Sequence, residues 1–308
     1  MISNILRKIL SYLSIWYPNK KILSKKDIVL RDFISKKLIK TNVNKKNLKK
    51  THKEFNDKIR ILLKSKNIKN FLRYNFIQKM FFLHNRFFIY QELKEIRKSK
   101  NWKYFKYLIK EDNVGNPIRY FLYLDSSGNR INHGYHLYIL EKELNIFLKK
   151  DIRSVFEFGG GYGCMARIFS KINKEIKFTC FDTNFVNLLQ FYYLKHNNLN
   201  VGFSKKNNFY LTSKLKNRTN KYDLFLANWS LSETPINYRK KFFIKIKNKK
   251  YIFISFQEKF ENLNNLEYFK DMRKLLSKKF EIKIIKNHFY HGNWFNKQNH
   301  YFLIGKKL

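Results

Sequence analysis

The spacing of apolar positions changes near residue 150. Beyond it, short apolar runs recur at 154–158, 177–181, 223–228, 251–256, 281–285 and 301–304, with a weaker one at 201–203. Runs of this length, rich in Ile, Phe and Tyr, predict strands. Between them, apolar residues three and four apart predict helices over 164–169, 185–195, 236–245 and 263–279, whereas 286–300 joins the last two strands without one. Such alternation predicts a parallel sheet with helices on both faces, and a final strand returning through a loop runs antiparallel. Ligands of an open sheet of this kind bind beyond the carboxyl ends of its parallel strands. Glu157, Asp182, Asn228, Gln257 and the loop after Ile285 therefore share one rim.

Upstream the pattern is helical. Residues 20–112 contain no glycine and many lysines, which predicts an α-helical region packing over the ligand site. Ile2, Ile5, Leu6, Ile9, Leu13 and Trp16 fall on one face of a first amphipathic helix, which either docks on its own domain or lies on an anionic membrane. Residues 117–125 and 130–132, around Ser126-Ser127-Gly128, predict a hairpin leading into the sheet, with His133 and His136 beside a helix that covers the site. The chain divides on this reading into an α-helical N-terminal region, 1–112, and a sheet domain, 113–308.

Four of the ten glycines, Gly159, Gly160, Gly161 and Gly163, lie between the first strand and the helix after it. Clustered glycine marks a tight turn where backbone approaches a ligand. A phosphate loop of the Walker type fails, because Cys164-Met165 stands where Gly-Lys-Ser/Thr belongs. A dinucleotide is disfavoured by Glu157, whose charge repels a pyrophosphate. Beside S-adenosylmethionine the same carboxylate attracts, because that ligand carries an ammonium, together with a carboxylate for the loop amides. A second acid, Asp182, ends the second strand nineteen residues beyond Gly163, where it can accept both ribose hydroxyls. Glu157, Gly159, Gly160, Gly161, Gly163, Asp182 and Asn228 are the expected cofactor-binding residues.

The run Phe156-Glu157-Phe158-Gly159-Gly160-Gly161-Tyr162-Gly163, with Ala166-Arg167 beyond it, leads on to Asp223-Leu224-Phe225 and Ser230-Leu231-Ser232-Glu233. Together with Val114-Gly115-Asn116-Pro117 and Tyr135-His136 it resembles a bacterial family of sugar O-methyltransferases associated with polysaccharide gene clusters. The resemblance covers about residues 113 to 260. It implies a class I, Rossmann-like, seven-stranded methyltransferase sheet and methyl transfer from S-adenosylmethionine to a sugar hydroxyl. Cys164 departs from the small residue usual at that position, which bears on packing more than on chemistry.

A sugar hydroxyl needs a base at neutral pH. The candidates are His136, which shares the family-like segment; His291, in the aromatic and polar loop 287–295; and Glu233. His133, His288 and His300, in the same two segments, are further histidine candidates. Ser230-x-x-Glu233 also reads as a capping box in which Glu233 folds back onto the Ser230 amide. Nucleic-acid amino-methyltransferases typically carry Asn/Asp-Pro-Pro-Tyr/Phe at this strand end, and here it is Asn228-Trp229-Ser230-Leu231. Few and scattered acids predict no metal site.

Composition adjusts this picture at the margins. Over 308 residues, 44% hydrophobic and 18% aromatic content exclude a disordered chain. Two cysteines suit a reducing cytoplasm, or a peripheral place at the inner membrane face. A net charge of +43 ordinarily points to nucleic acid. The abundance of Lys, Asn, Ile, Phe and Tyr is also what an AT-rich genome writes, which leaves the shortage of Asp and Glu as the signal for anionic partners. A saccharide or nucleotide-sugar is the expected acceptor; an RNA-binding methyltransferase or a basic binding module on the same fold is the alternative.

Overall fold

The computed structural model describes residues 22–39, 50–81, 86–214, 222–289 and 298–308. The amphipathic segment 2–16 and His291 lie outside them.

Helices α1 (Lys25–Ile39), α2 (Lys50–Lys64), α3 (Asn75–Phe81), α4 (Phe87–Arg97) and α5 (Trp102–Ile109), with a 3-10 segment at Lys66–Arg73, precede the sheet. The sheet strands are β1 (Ser154–Phe158), β2 (Lys177–Phe181), β3 (Val201–Gly202), β4 (Phe209–Thr212), β5 (Leu224–Asn228) and β6 (Tyr251–Gln257), with β9 (Phe280–Asn287) and β10 (His300–Lys307) after a small hairpin, β7 (Lys259–Phe260) and β8 (Leu263–Asn264). Helices α6 (Gly128–Leu144) and α7 (Leu148–Asp151) lead into β1, and α8 (Cys164–Ile172), α9 (Asn184–His196), α10 (Ile236–Ile246) and α11 (Asn265–Leu276) follow β1, β2, β5 and β8.

The strand order is β3-β4-β2-β1-β5-β6-β10-β9. All pairs are parallel except those of β10, which runs antiparallel to both β6 and β9. Without the two-residue edge strand β3, this is the seven-strand order of the class I methyltransferase plan, so the α/β expectation holds. Alternate residues of β1 serve two cores. Val155 joins the N-terminal helices, α6, α8 and α9 on one face. Phe156 and Phe158 join Phe242 of α10 and Phe269 of α11 on the other.

Three local expectations are corrected. The third strand of the plan is Phe209–Thr212, and 201–203 supplies only a two-residue edge. Four residues, alternately buried and half-buried, carry too short a period to stand out. Residues 117–132 form no hairpin: there is a single bridge, Tyr120 to Tyr123, and Gly128 opens α6. Ser127 acts as an N-cap, its Oγ accepting from the Arg130 amide at 3.1 Å. The helix expected from 263 begins at Asn265, capped by the Asn264 side chain.

Arg130 is fully buried in the first turn of α6. It donates to Glu111 Oε1 at 2.7 Å, Asp112 Oδ2 at 3.1 Å and the Tyr193 hydroxyl at 2.6 Å. Asp112 also takes two bonds from Arg167 of α8. This network ties the segment after α5 to the helix that follows the glycine loop, and removing one member would leave a buried charge unpaired.

Candidate active site

The carboxyl ends of β1, β2, β5 and β6 open into one cleft of about 1250 Å³. Phe55 and Asn56 of α2 and Gln78 to Phe81 of α3 line its other side, so the N-terminal helices roof the sheet's rim. Thr183 donates to Asn56 Oδ1 at 3.1 Å across that boundary.

The glycine loop is wedged rather than merely flexible. Gly159 has φ +70°, and a Cβ there would lie 2.2 Å from Ser230 Cβ. A Cβ on Gly160 would lie 2.5 Å from Glu157 Oε2. Only hydrogen fits at Gly159, and a side chain at Gly160 would have to displace the Glu157 carboxyl. The loop is fastened by Gln190 of α9, whose Nε2 donates to the Gly161 carbonyl at 2.9 Å, and by Asn129, which donates to the Tyr162 hydroxyl at 3.0 Å.

Parallel pairing of Glu157 with Cys180 and Leu226 holds this acid in mid-sheet, and it is 2% exposed. Its Oε2 has no hydrogen-bond partner. Burial pushes its carboxyl up to about 8, with His133 opposing the shift. Asp182 accepts from the Thr183 amide at 2.7 Å and the Gly161 amide at 3.2 Å, and burial pushes it up to about 7 despite those bonds. Each carboxylate oxygen keeps a further lone pair for a ligand hydroxyl.

At the other end, β5 finishes in Asn228, and Trp229 follows with φ +58° and ψ −36°. That conformation is costly for a bulky residue and marks a turn held by its surroundings. Ser230–Glu233 then forms a 3-10 turn. The Ser230 hydroxyl donates to the Phe158 carbonyl at 2.5 Å, and Ser232 Oγ donates to Gln257 Oε1 at 2.7 Å. Arg239 of α10, fully buried, clasps the Ser232 and Thr234 carbonyls. The capping-box expectation fails here. Trp229 holds the cap position without a side-chain capping bond, and Glu233 takes a 3.5 Å bond from Gln257 Nε2 instead of folding back. Glu233 lines the cleft, and burial pushes its carboxyl up to about 7.

The histidines separate. His136 is 1% exposed and is absent from the cleft lining; its Nδ1 lies 3.0 Å from Asn228 Oδ1, and burial depresses its basicity to about 3. The expectation that His136 meets the acceptor is therefore corrected: the Phe253, Phe302 and Trp229 rings enclose it behind Asn228. His288 is exposed at the end of β9, away from the cleft. His133 and His300 do line it. His133 donates from Nδ1 to the Asn129 carbonyl at 2.9 Å, which leaves Nε2 as the acceptor, and burial lowers its basicity. The structure thus gathers Glu157, Gly159, Gly160, Gly161, Asp182, Asn228 and Glu233 in one cleft, whereas Gly163 caps α8 outside its lining. His133, Gln257 and His300, which the sequence already placed beside the site, line the cleft as well, and the roof residues Phe55 and Phe81 are additions that no local signal in the sequence marks. Among the described residues no group of three or more His, Cys, Asp or Glu is placed to hold a metal, and no helix is long and apolar enough to cross a membrane.

No family model matches the chain, and no curated protein matches it. Solved structures do resemble it distantly. The methyltransferase domain of a bacterial CtHen1 is 13% identical, over 56% of this chain and 96% of that one, with a TM-score of 0.41. A proposed sarcosine dimethylglycine methyltransferase from Galdieria sulphuraria is 11% identical, over 57% and 87%, with a TM-score of 0.41. The fibrillarin pre-rRNA processing protein of Methanococcus jannaschii is 13% identical, over 53% and 69%, with a TM-score of 0.36. Likenesses of this size carry no argument about substrate, and the cleft is read from its own residues.

Proposed function

We propose that the chain is an S-adenosylmethionine-dependent O-methyltransferase whose acceptor is a sugar hydroxyl, on a glycan, a nucleotide-sugar or a lipid-linked saccharide. The observation that carries the first part is Glu157: a carboxyl in mid-sheet, with an oxygen lacking any partner, beneath a loop in which a Cβ at Gly159 or Gly160 would collide with Ser230 or with Glu157 itself. A buried acid so placed is destabilised until a cation or donor reaches it, and the cofactor's ammonium is such a group. Asp182 would take the ribose hydroxyls, and the loop amides the carboxylate. When bound, S-adenosylmethionine supplies an electrophilic methyl group.

The chain's own part is to hold the acceptor and remove its proton. Glu233, half-buried and half-ionised near neutral pH, is matched to take a hydroxyl proton at the cleft wall. Support for a sugar comes from the motif resemblance and from the lining, in which the aromatic Trp229 and Tyr238 stand among Asn237, Gln257 and Gln298. Lys79, Lys214 and Lys241 at the exposed margin suit an acceptor that carries phosphate.

The test is calorimetry with S-adenosylhomocysteine, followed by labelled methyl transfer over a panel of nucleotide-sugars, glycans and RNA. Binding and saccharide labelling are expected. Absence of binding would sink the methyltransferase reading; RNA labelled as fast as any saccharide would replace the acceptor.

A further inference from the structure

Asn228 is held in one orientation from behind. His136 Nδ1 lies 3.0 Å from its Oδ1, and Ser255 Oγ donates to the same oxygen at 3.4 Å. The other branch of the amide, Nδ2, is buried without a partner, in a residue that forms part of the cleft wall. His136 Nε2 also has no hydrogen-bond partner among rings whose centroids lie 5.1 to 5.9 Å away. If Nδ1 carries the hydrogen, His136 donates to Asn228 and leaves only a lone pair facing the rings. If the amide were turned over, Nδ2 would donate to Nδ1 and the imidazole N–H would lie buried and unpaired at Nε2 instead. Each orientation therefore leaves one donor group unpaired, and the tautomer of His136 tells them apart. With Oδ1 toward His136, the imidazole N–H faces that oxygen, and Nδ2 is left buried and unpaired in a residue of the cleft wall.

We infer that Asn228 is the donor that selects a hydroxyl over an amine as methyl acceptor, and that His136 is the positioning residue that aims it. The inference rests on the methyl-transfer reading above. A hydroxyl oxygen has two lone pairs. One forms the new bond to the methyl carbon while the methyl–sulfur electron pair stays with sulfur; the other accepts from Asn228 Nδ2; the hydroxyl proton goes to Glu233. A neutral amine has one lone pair, which attack on the methyl consumes, so it meets Asn228 donor against donor. The orphaned Nδ2 costs stability in the free protein and is repaired only by an oxygen ligand.

The first measurement is ¹⁵N NMR of the His136 imidazole in the full chain. A hydrogen on Nδ1 and no titration between pH 5 and 8 are expected; a hydrogen on Nε2, or titration in that range, overturns the lock. The second uses Asn228→Asp, which keeps Oδ1 and replaces the donor. Methyl transfer should fall about 10- to 100-fold while S-adenosylhomocysteine affinity changes less than about threefold. An equal loss of that affinity would assign Asn228 to the cofactor and overturn the proposal. His136→Asn, which can still donate, should retain most of the turnover that His136→Leu loses; equal behaviour of the two overturns the positioning role. The transferred label is then analysed for its linkage, with O-linked label expected and N-linked label contradicting the selection. Wild-type protein that binds no S-adenosylhomocysteine refutes the underlying function instead, whatever the tautomer.

Discussion

At the glycine-loop end of the cleft, the main polar groups come from residues 157–190, a single strand-loop-helix-strand-helix passage. At the Asn228 end they come from α6, the β5 turn, β6 and the start of β10, more than 160 residues apart in the chain. The first end is held by backbone: paired strands, three positive-φ glycines and amides donating to Asp182. The second is held by side chains: Arg239 on the turn carbonyls, Ser230 on Phe158, Ser232 on Gln257 and His136 on Asn228. A cofactor common to many acceptors can be met by a fixed local design, whereas an acceptor site is remade by exchanging individual side chains. That division suits a fold that carries varied chemistry.

If the division is functional, substitutions at the two ends should separate turnover from cofactor binding. The largest effect is expected for Glu233→Gln, which should lower turnover about 10²- to 10⁴-fold in steady-state kinetics with S-adenosylhomocysteine affinity nearly unchanged. Full turnover in this variant would move the base to one of the lining histidines, His133 or His300. Glu157→Gln should do the reverse and weaken calorimetric affinity by about 100-fold or more, as expected when a buried charge partner is lost.

Gly159→Ala probes the joint between the ends, because its Cβ would collide with Ser230 at 2.2 Å in a positive-φ conformation. A loss of about 2 to 3 kcal/mol in denaturant unfolding is expected, partly restored by Ser230→Gly. No loss would mean that loop and turn move independently.

Proton linkage gives two smaller effects. Burial holds Glu92 and Glu157 protonated up to about 8 in the folded state, whereas unfolded glutamates ionise far lower. The stability they contribute is complete at acidic pH and is lost as pH rises through 8. His133, His136 and His300 have lowered values, so they gain stability as their unfolded counterparts lose protons just above 6.5, which offsets only part of this loss. The ligand-free melting temperature should therefore fall by a few degrees between pH 6.5 and 8. For the same reason, pairing the cofactor ammonium with Glu157 should release up to about one proton near pH 7. Calorimetry in buffers of different ionisation enthalpy reads that number, and zero release would show that Glu157 is already ionised or remains unpaired.

The cofactor end was largely legible in one dimension. Glu157, the four glycines and Asp182 follow one another at spacings that a strand, a turn and a second strand impose, and local geometry brings them together without help from elsewhere. The antiparallel return of β10 was legible for a similar reason, because 286–300 lacks the helix that a parallel crossover needs. Ser127-Gly128 misled because the same two residues suit a hairpin turn or a helix start, and the choice was made by the buried Arg130 network rather than by propensity. Glu233 looked like a cap until Arg239, Gln257 and Phe158 claimed the turn around it.

What the amino-acid sequence determined by itself was the alternation of elements, hence the sheet, its rim and the acids beneath the glycine loop. Only the tertiary structure decided which histidine meets the cleft. His133 and His136 are three residues apart on one helix, close enough to share a face, yet one borders the cleft and the other is sealed behind Asn228 by aromatic rings. Helical period sets the angle between two side chains, but what lies at each angle depends on strands that enter the fold 90 to 170 residues later.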